Sequence, residues 1–200
     1  MLDVKQFHGG GFSANTYLVR DPASGEAMVV DPACDPKLIG VTDGIRYVFV
    51  THAHFDHILF LDRFAALPGV TVLIGVGDAA ALRDPLLNGF YLFLGEKRSF
   101  DCNFTALHDG DIVKLGDNIL KVIETPGHTP GSVSLYGDGK LFSGDLIFSG
   151  GGYGRTDLPG GDESAIHISL KKILRLPDAC EIYPGHGEIT SVRREKSYII

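Results

Sequence analysis

The feature that most constrains this chain is a cluster of histidines that directly follows an apolar, β-rich run at residues 46–51. Six consecutive positions hold three histidines and one aspartate, namely His52, His54, Asp56 and His57. Imidazole rings crowded into one loop repel one another when protonated, whereas a divalent cation satisfies their ring nitrogens and favours the neutral form. Side chains two positions apart on an extended segment point the same way, so His52 and His54 can approach one ion together. The pattern predicts a metal site in a loop between a strand and a helix.

The first cluster needs further ligands from elsewhere in the chain. Asp56 and His57 lie past the bend and point to a second position, so neither position has the three protein ligands that even a catalytic zinc site takes. Three later stretches each offer one more ligand beside a predicted strand, in turns that contain glycine: Thr125-Pro126-Gly127-His128, Ser143-Gly144-Asp145 and Tyr183-Pro184-Gly185-His186-Gly187. His128, Asp145 and His186 are therefore the candidates that complete the site.

Apolar runs and turn residues predict many short strands and two helices. The chain is expected to open with a hairpin of two strands, at residues 12–19 and 27–30. Later strands are predicted at residues 46–51, 71–74, 112–115, 119–124, 132–136, 140–143 and 181–183, and helices at 58–67 and 162–176. The segment 86–94 is apolar and aromatic, consistent with core packing, a lid or a dimer face. Strands followed by a helix in each half favour two packed sheets with helices outside.

Charge and composition limit the partners of this chain. It has 18 Lys and Arg against 25 Asp and Glu, a formal net charge of −7, so we expect neither a nucleic acid nor a membrane as partner. The basic run at residues 193–196 is interpreted as a solvated chain end. No apolar run reaches the roughly 18 residues of a membrane span, and Cys34, Cys102 and Cys180 lack the spacing of a thiolate metal site. A cytoplasmic protein with reduced thiols, monomeric or homodimeric, is expected.

The candidate ligands, taken in their order along the chain, resemble those of the metallo-β-lactamase-fold hydrolases. The resemblance implies an α+β fold, a four-layer αββα sandwich of two mixed sheets with helices outside, formed by one domain over residues 1–200. It also implies a ligand set for two divalent ions: His52, His54 and His128 for one, Asp56, His57 and His186 for the other, with Asp145 bridging both. Zinc is the expected metal, with iron and manganese as alternatives, because imidazole and carboxylate ligands accept all three.

The same resemblance implies hydrolysis without a serine or cysteine nucleophile. A hydroxide between two ions roughly 3.5–4 Å apart would attack, because coordination lowers the pKa of water from 15.7 to about 7. The second ion would polarise a carbonyl group and stabilise the oxyanion. Asp56 can both ligate a metal and orient the hydroxide, and Asp145 would bridge the ions. These two carboxylates are the candidate catalytic residues.

One branch of the family is favoured by two further stretches. Residues 142–148 and 154–162 resemble the small glyoxalase II-like thioesterases of microbes, which cleave acylglutathiones such as S-lactoylglutathione. The resemblance implies hydrolysis of S-lactoylglutathione or another small acyl thioester. We expect the chain to lack the separate C-terminal, glutathione-binding helical domain of full-length glyoxalase II.

Three residues outside the ligand set are candidates for supporting roles. Arg155 can bind a substrate carboxylate through two parallel hydrogen bonds. The alternative is that Arg155 forms an exposed salt bridge with Asp157 or Asp162. Tyr153, in a glycine-rich loop, is a second candidate substrate contact. Asp31 is a candidate either to hydrogen-bond a ligand histidine or to cap a turn.

Two alternative functions remain open at this point. Iron-dependent persulfide dioxygenases of the same fold share residues like 154–157 and bind one iron through ligands like His52, His128 and Asp145. The second alternative, a binding module with a catalytically inactive site, is disfavoured by the intact ligand set. Antibiotic hydrolysis is disfavoured because zinc β-lactamases of the best-known type place a cysteine at the position of Asp145, and RNA processing is disfavoured by the acidic charge.

Overall fold

Twelve strands form two six-stranded sheets within residues 1–40 and 42–199, the part of the chain that the computed structural model describes. The predicted domain over residues 1–200 also includes Val41 and Ile200, which lie outside the described residues. The first sheet contains β1 (Asp3–His8), β2 (Asn15–Arg20), β3 (Ala27–Val30), β4 (Ile45–Val50), β5 (Thr71–Gly75) and β6 (Phe104–Leu107). The second sheet contains β7 (Ile112–Leu115), β8 (Asn118–Glu124), β9 (Val133–Gly137), β10 (Lys140–Gly144), β11 (Glu181–Pro184) and β12 (Thr190–Ser191).

Both sheets are mixed, as the resemblance implied. In the first sheet β1, β2 and β3 are antiparallel neighbours, whereas β3 to β6 are parallel. In the second sheet β10 and β11 are parallel and the other neighbours are antiparallel. Consequently β8, β10 and β11 all run in the same direction, and their carboxyl ends lie at one edge of the sheet.

Three layers of buried apolar side chains hold the two sheets and the helices together. The helices are α1 (Pro36–Ile39), α2 (Leu61–Ala65), α3 (Phe90–Leu94), α4 (Glu163–Ile173) and α5 (Val192–Ile199). Successive strand residues face opposite layers: Phe142 packs between the sheets, whereas Leu141 packs with Ile166 of α4 on the outside. On the first sheet Phe49 faces inwards and Val48 packs with α2. The predicted four-layer αββα sandwich is confirmed.

Several predicted boundaries of strands and helices were wrong. The helix predicted over residues 58–67 covers only Leu61–Ala65, because the amides of His57 and Ile58 bond back to the carbonyls of His54 and Phe55 in tight turns. The predicted strand 12–19 begins only at Asn15, and the prediction missed β1, which pairs with β2 along its whole length. The long helix predicted over residues 162–176 spans Glu163–Ile173, with the Asp162 side chain accepting a hydrogen bond from the Ala165 amide as N-cap.

The basic run 193–196 is not the solvated chain end that its composition indicated. It lies in α5, where Arg193 and Arg194 are exposed but Glu195 is fully buried. The Glu195 carboxylate accepts hydrogen bonds from the amides of Gly150 and Gly151, at 3.2 and 2.7 Å. Helix α5 therefore anchors the loop that follows β10.

The apolar segment 86–94 is divided between core and surface. Phe90 of α3 is fully buried, whereas Tyr91, Leu92, Phe93 and Leu94 are each 40–50% exposed. Within the described residues no helix combines the length and the apolar character needed to cross a bilayer.

Candidate metal centre

All the candidate ligands follow the carboxyl end of a strand. The histidine cluster comes after β4, His128 after β8, Asp145 directly after β10 and His186 after β11. Backbone hydrogen bonds join these loops: the Val133 amide donates to Thr51 O at 2.9 Å, and the Gly185 amide donates to Gly144 O at 2.9 Å. The rims of the two sheets therefore meet where the ligand loops emerge, and the structure brings all seven predicted ligands together.

The ligand atoms form three groups, each of which could hold one cation. Within each group the atoms lie within 4.8 Å of one another: His52, His54 and His128; His52, His57 and Asp145; Asp56, His57 and His186. The first and third groups are the two sets of non-bridging ligands that the resemblance implied. The second group shares a histidine with each of the others, so the groups form one continuous site.

Asp145 occupies the centre of this site. Its Oδ1 lies 3.2 Å from His57 Nε2, and its Oδ2 lies 3.6 Å from both His128 Nε2 and His186 Nε2. One carboxylate thus contacts ligands of both implied sets. Asp56 lies to one side, with its Oδ2 3.1 Å from His186 Nε2.

Buried polar atoms without partners indicate that these residues fit divalent cations. His52 Nε2, His57 Nε2 and Asp145 Oδ1 are buried and have no hydrogen-bond partner among the described residues. Each such atom ordinarily costs about 1–3 kcal/mol, so three in one place are costly unless an ion satisfies them. Gly185 keeps the space open, because a Cβ at that position would overlap Asp145 Oδ1 and lie 2.6 Å from His57 Cε1. The donors are imidazoles and carboxylates, which suit zinc, iron or manganese.

Neighbouring acceptors orient two of the ligand rings. His57 Nδ1 donates to Asp31 Oδ2 at 2.8 Å, and His128 Nδ1 donates to the Arg155 carbonyl oxygen at 2.7 Å. Each bond directs Nε2 of that ring into the site. Asp31 is itself held by the amide and hydroxyl of Thr51, both at 2.8 Å. The first of the two roles considered for Asp31, a bond to a ligand histidine, is therefore confirmed.

The pKa values of the buried ligands favour the binding of a cation. Burial lowers the pKa of His52 well below its ordinary value, and burial lowers that of His54 to about 3. Burial also opposes charge on His57, but the carboxylates of Asp145, Asp31 and Asp56 outweigh it and raise the pKa of His57 well above its ordinary value. Burial opposes charge on Asp145 too, yet the nearby His57 charge holds its pKa below the ordinary range. A bound cation would replace the proton that the carboxylates otherwise draw to His57.

Sequence reasoning missed Asp78, a buried aspartate that joins two ligand loops. Its Oδ2 accepts hydrogen bonds from the Ala53 amide at 2.9 Å and the Thr129 hydroxyl at 2.8 Å, and its Oδ1 accepts one from the Gly131 amide at 2.7 Å. Ala53 lies between the first two ligand histidines, and Thr129 follows His128. No local signal marked this residue, because a Gly-Asp pair ordinarily indicates a turn.

We expect Asp78→Ala to weaken metal binding about tenfold to a hundredfold, as loss of a positioning residue around a metal site typically does. The change leaves the buried amides of Ala53 and Gly131 without their acceptor, so the free energy of unfolding should also fall by about 3 kcal/mol. Metal titration monitored by calorimetry, together with urea unfolding, measures both effects. Asp117→Ala, in the exposed turn between β7 and β8, is the matched control. A folded Asp78→Ala protein with the metal affinity of the unaltered chain would contradict this role.

The two predicted substrate contacts have different locations. Arg155 lines the open cavity in front of the ligands, but its Nε and Nη2 donate to the two carboxylate oxygens of Asp157, each at 2.6 Å. The alternative considered for Arg155, an exposed salt bridge with Asp157, is therefore present. Tyr153 is not among the described residues that line this cavity; its hydroxyl donates to Glu163 Oε1 at 3.0 Å. The structure thus places Tyr153 against α4 and not in the cavity.

Solved structures share this architecture over almost the whole chain. "BLEG-1 B3 metallo-beta-lactamase" superposes with a TM-score of 0.89 at 32% identity, covering 98% of this chain and 97% of that one. "TTHA1623 in a di-iron-bound form" superposes with a TM-score of 0.83 at 31% identity, covering 97% and 98%. "ETHE1 from Myxococcus xanthus" has a TM-score of 0.79 at 28% identity, covering 98% and 83%.

Sequence relatives and a family model agree with the structural likeness. "Probable metallo-hydrolase YqgX" of Bacillus subtilis is 38% identical, and the match covers 94% of this chain and 91% of that protein. A "Hydroxyacylglutathione hydrolase" of Aeromonas hydrophila is 33% identical over 86% of this chain but only 57% of its own length. The family model described as "Metallo-beta-lactamase superfamily" matches residues 9–186. Since that match runs from the loop before β2 to His186 and takes in every candidate ligand, this chain belongs to the metallo-beta-lactamase superfamily.

Proposed function

We propose that this chain is a two-metal thioester hydrolase of the glyoxalase II-like kind, acting on S-lactoylglutathione or another small acyl thioester. The observation that carries the proposal is the pair of separate ligand groups, each with three donors, on either side of Asp145. A second complete group, made of Asp56, His57 and His186, favours two ions over the single iron of the dioxygenase alternative. The name of the Aeromonas relative supports the choice of substrate class.

In this proposal the seven candidate ligands would hold divalent ions, which would supply Lewis acidity toward the thioester carbonyl and toward water. The residues of the chain supply position and proton transfer. Asp31 and the Arg155 carbonyl oxygen hold His57 and His128 in orientation. Asp56, whose side chain is 17% exposed and lines the cavity, orients the attacking water and accepts its proton. Water adds to the carbonyl carbon, the carbon–sulfur bond breaks, and the proton taken up by Asp56 passes to the departing thiolate, so that the products are a carboxylic acid and a thiol.

Metal analysis with three parallel assays tests the proposal. Purified protein is analysed for zinc, iron and manganese, and the same preparation is assayed for S-lactoylglutathione hydrolysis, oxygen uptake with glutathione persulfide, and β-lactam hydrolysis. We expect two ions per chain, with zinc supporting turnover, and cleavage of thioesters. One iron with oxygen consumption would replace the proposal with the persulfide dioxygenase alternative. β-Lactam turnover without thioester cleavage would instead match the name that the BLEG-1 structure carries.

A further inference from the structure

The cavity in front of the candidate metal ligands has one wall made of apolar side chains. Its volume is about 480 Å³, and it is open to solvent in front of His54, Asp56, His128, Asp145 and His186. The remaining wall is formed mainly by Phe12, Phe55, Phe93 and Leu158. Phe12 is 80% exposed and Phe93 is 46% exposed. Large aromatic side chains exposed together beside a catalytic centre indicate a surface that a ligand covers.

Part of this wall rests on the hydrophobic core. Phe55 lies between two candidate ligands in the chain, and its ring stacks on Phe93 with the centroids 5.1 Å apart and the planes 23° apart. Phe55 also packs edge-on against the fully buried Phe90, at 5.9 Å between centroids. A Cβ at Gly89 would lie 3.3 Å from the Phe93 ring, so this glycine permits the close packing. The wall is thus a preformed surface adjoining the ligand loop.

Phe12 faces the same cavity from a different segment of the chain. It lies in the loop between β1 and β2, after three consecutive glycines. The amide of Ala14, two residues later, donates to Asp56 O at 3.1 Å, which ties the end of this loop to the ligand loop. Phe12 and Phe93 therefore contribute to one cavity from two elements that both contact the first ligand cluster.

The polar groups of the cavity do not complement glutathione, which carries two carboxylates and an ammonium group. Apart from the histidines, Arg155 is the one basic residue among the described residues that line the cavity, and Asp157 occupies its guanidinium with two bonds. The hydroxyl of Ser13 donates to Gly10 O at 2.7 Å. The part of the cavity beyond the metal ligands therefore offers mainly apolar surface to a substrate.

We infer, resting on the proposed thioester hydrolysis, that the substrates are thioesters with a bulky apolar, preferably aromatic, group next to the scissile bond. Phe12 and Phe93 determine this specificity by covering that group. Burying an aromatic group of this size against an apolar wall corresponds to about a tenfold to hundredfold gain in binding. A glutathione moiety, with its charged groups, gains much less from the same wall.

Two thioesters, one with an aromatic thiol group and one with glutathione, test the specificity. S-Benzyl thioacetate and S-lactoylglutathione are compared by kcat/KM in the metal-loaded unaltered protein and in Phe12→Ala, Phe93→Ala and Leu92→Ala. Leu92 is the control, because it lies on the same helix, is 50% exposed and does not line the cavity. We expect kcat/KM of the unaltered protein to be at least tenfold higher for S-benzyl thioacetate than for S-lactoylglutathione. This preference should fall about tenfold in Phe12→Ala and in Phe93→Ala, because KM for S-benzyl thioacetate rises. Leu92→Ala should keep the preference. A preference for S-lactoylglutathione that neither phenylalanine variant changes would overturn the inference.

A binding measurement separates the apolar subsite from catalysis. Calorimetry with 4-phenylbutyrate and butyrate compares two carboxylates that differ only in the phenyl ring and need no turnover. We expect the unaltered protein to bind 4-phenylbutyrate at least tenfold more tightly, and Phe12→Ala and Phe93→Ala to lose most of that difference. If the two carboxylates differ in affinity as expected but no thioester is cleaved, the apolar subsite is supported and the proposed function is wrong. Equal dissociation constants for the two carboxylates would refute the subsite even in a protein that cleaves thioesters.

Discussion

Asp145→Ala is expected to lower kcat for thioester hydrolysis about 1,000-fold, the upper range for losing a group that stabilises the transition state electrostatically. Bound metal should fall from two ions to less than one per chain. The physical reason is position: the Asp145 carboxylate lies within 3.6 Å of His57, His128 and His186, and so touches both implied ligand sets. Elemental analysis after gel filtration, with steady-state kinetics on the same samples, measures both quantities.

Asp117→Ala is the matched control for this variant. Asp117 is exposed in the turn between β7 and β8, so its loss removes one carboxylate without touching the site. Circular dichroism and urea unfolding establish that both variants are folded. If Asp145→Ala retained two ions and ordinary turnover, the bridging role would be wrong.

Asp56→Ala is expected to give a different result, which distinguishes the two carboxylates. Asp56 belongs to one ligand group, with His57 and His186, and the group of His52, His54 and His128 does not include it. We therefore expect one ion to be lost and one to be retained, with kcat reduced about 100-fold because a ligand and the proposed proton acceptor disappear together.

The stoichiometry in Asp56→Ala is the decisive measurement. Metal titration should show a single binding event in this variant and two in the unaltered chain. Asp56→Glu keeps a carboxylate and should recover part of the second event, whereas Asp56→Asn should not recover the proton-accepting role. Full turnover with both ions present in Asp56→Ala would contradict the assignment.

The ligand residues could be recognised from the sequence because their spacing and chemistry are local properties. Four of them fall within six positions, and the other three stand in turns next to predicted strands. Most of the strands could be predicted for the same reason, since alternation and turn residues are local signals. β1 was missed because only Val4 and Phe7 are plainly apolar in it, and its stability comes from pairing with β2.

Other features depended on contacts between distant parts of the chain. The helix after the histidines is short because the ligand loop forms tight turns that bury Ile58. Glu195 is buried because the amides of Gly150 and Gly151 need an acceptor. Asp78 lies 25 residues after Ala53 and 51 residues before Thr129, and it connects the loops that hold these two residues. No pattern within either stretch contains that information.

The sequence by itself determined the donor chemistry of this protein: imidazole and carboxylate donors in number and order sufficient for two cations, on a chain of many short strands and a few helices. Only the tertiary structure decided how those donors are grouped, which partners orient His57 and His128, and that Arg155 is bonded to Asp157. It also decided that Phe12 and Phe93 face the same cavity. The physical reason is that donor type is a property of single residues, whereas distance, burial and orientation arise when strand ends from two sheets meet at one rim.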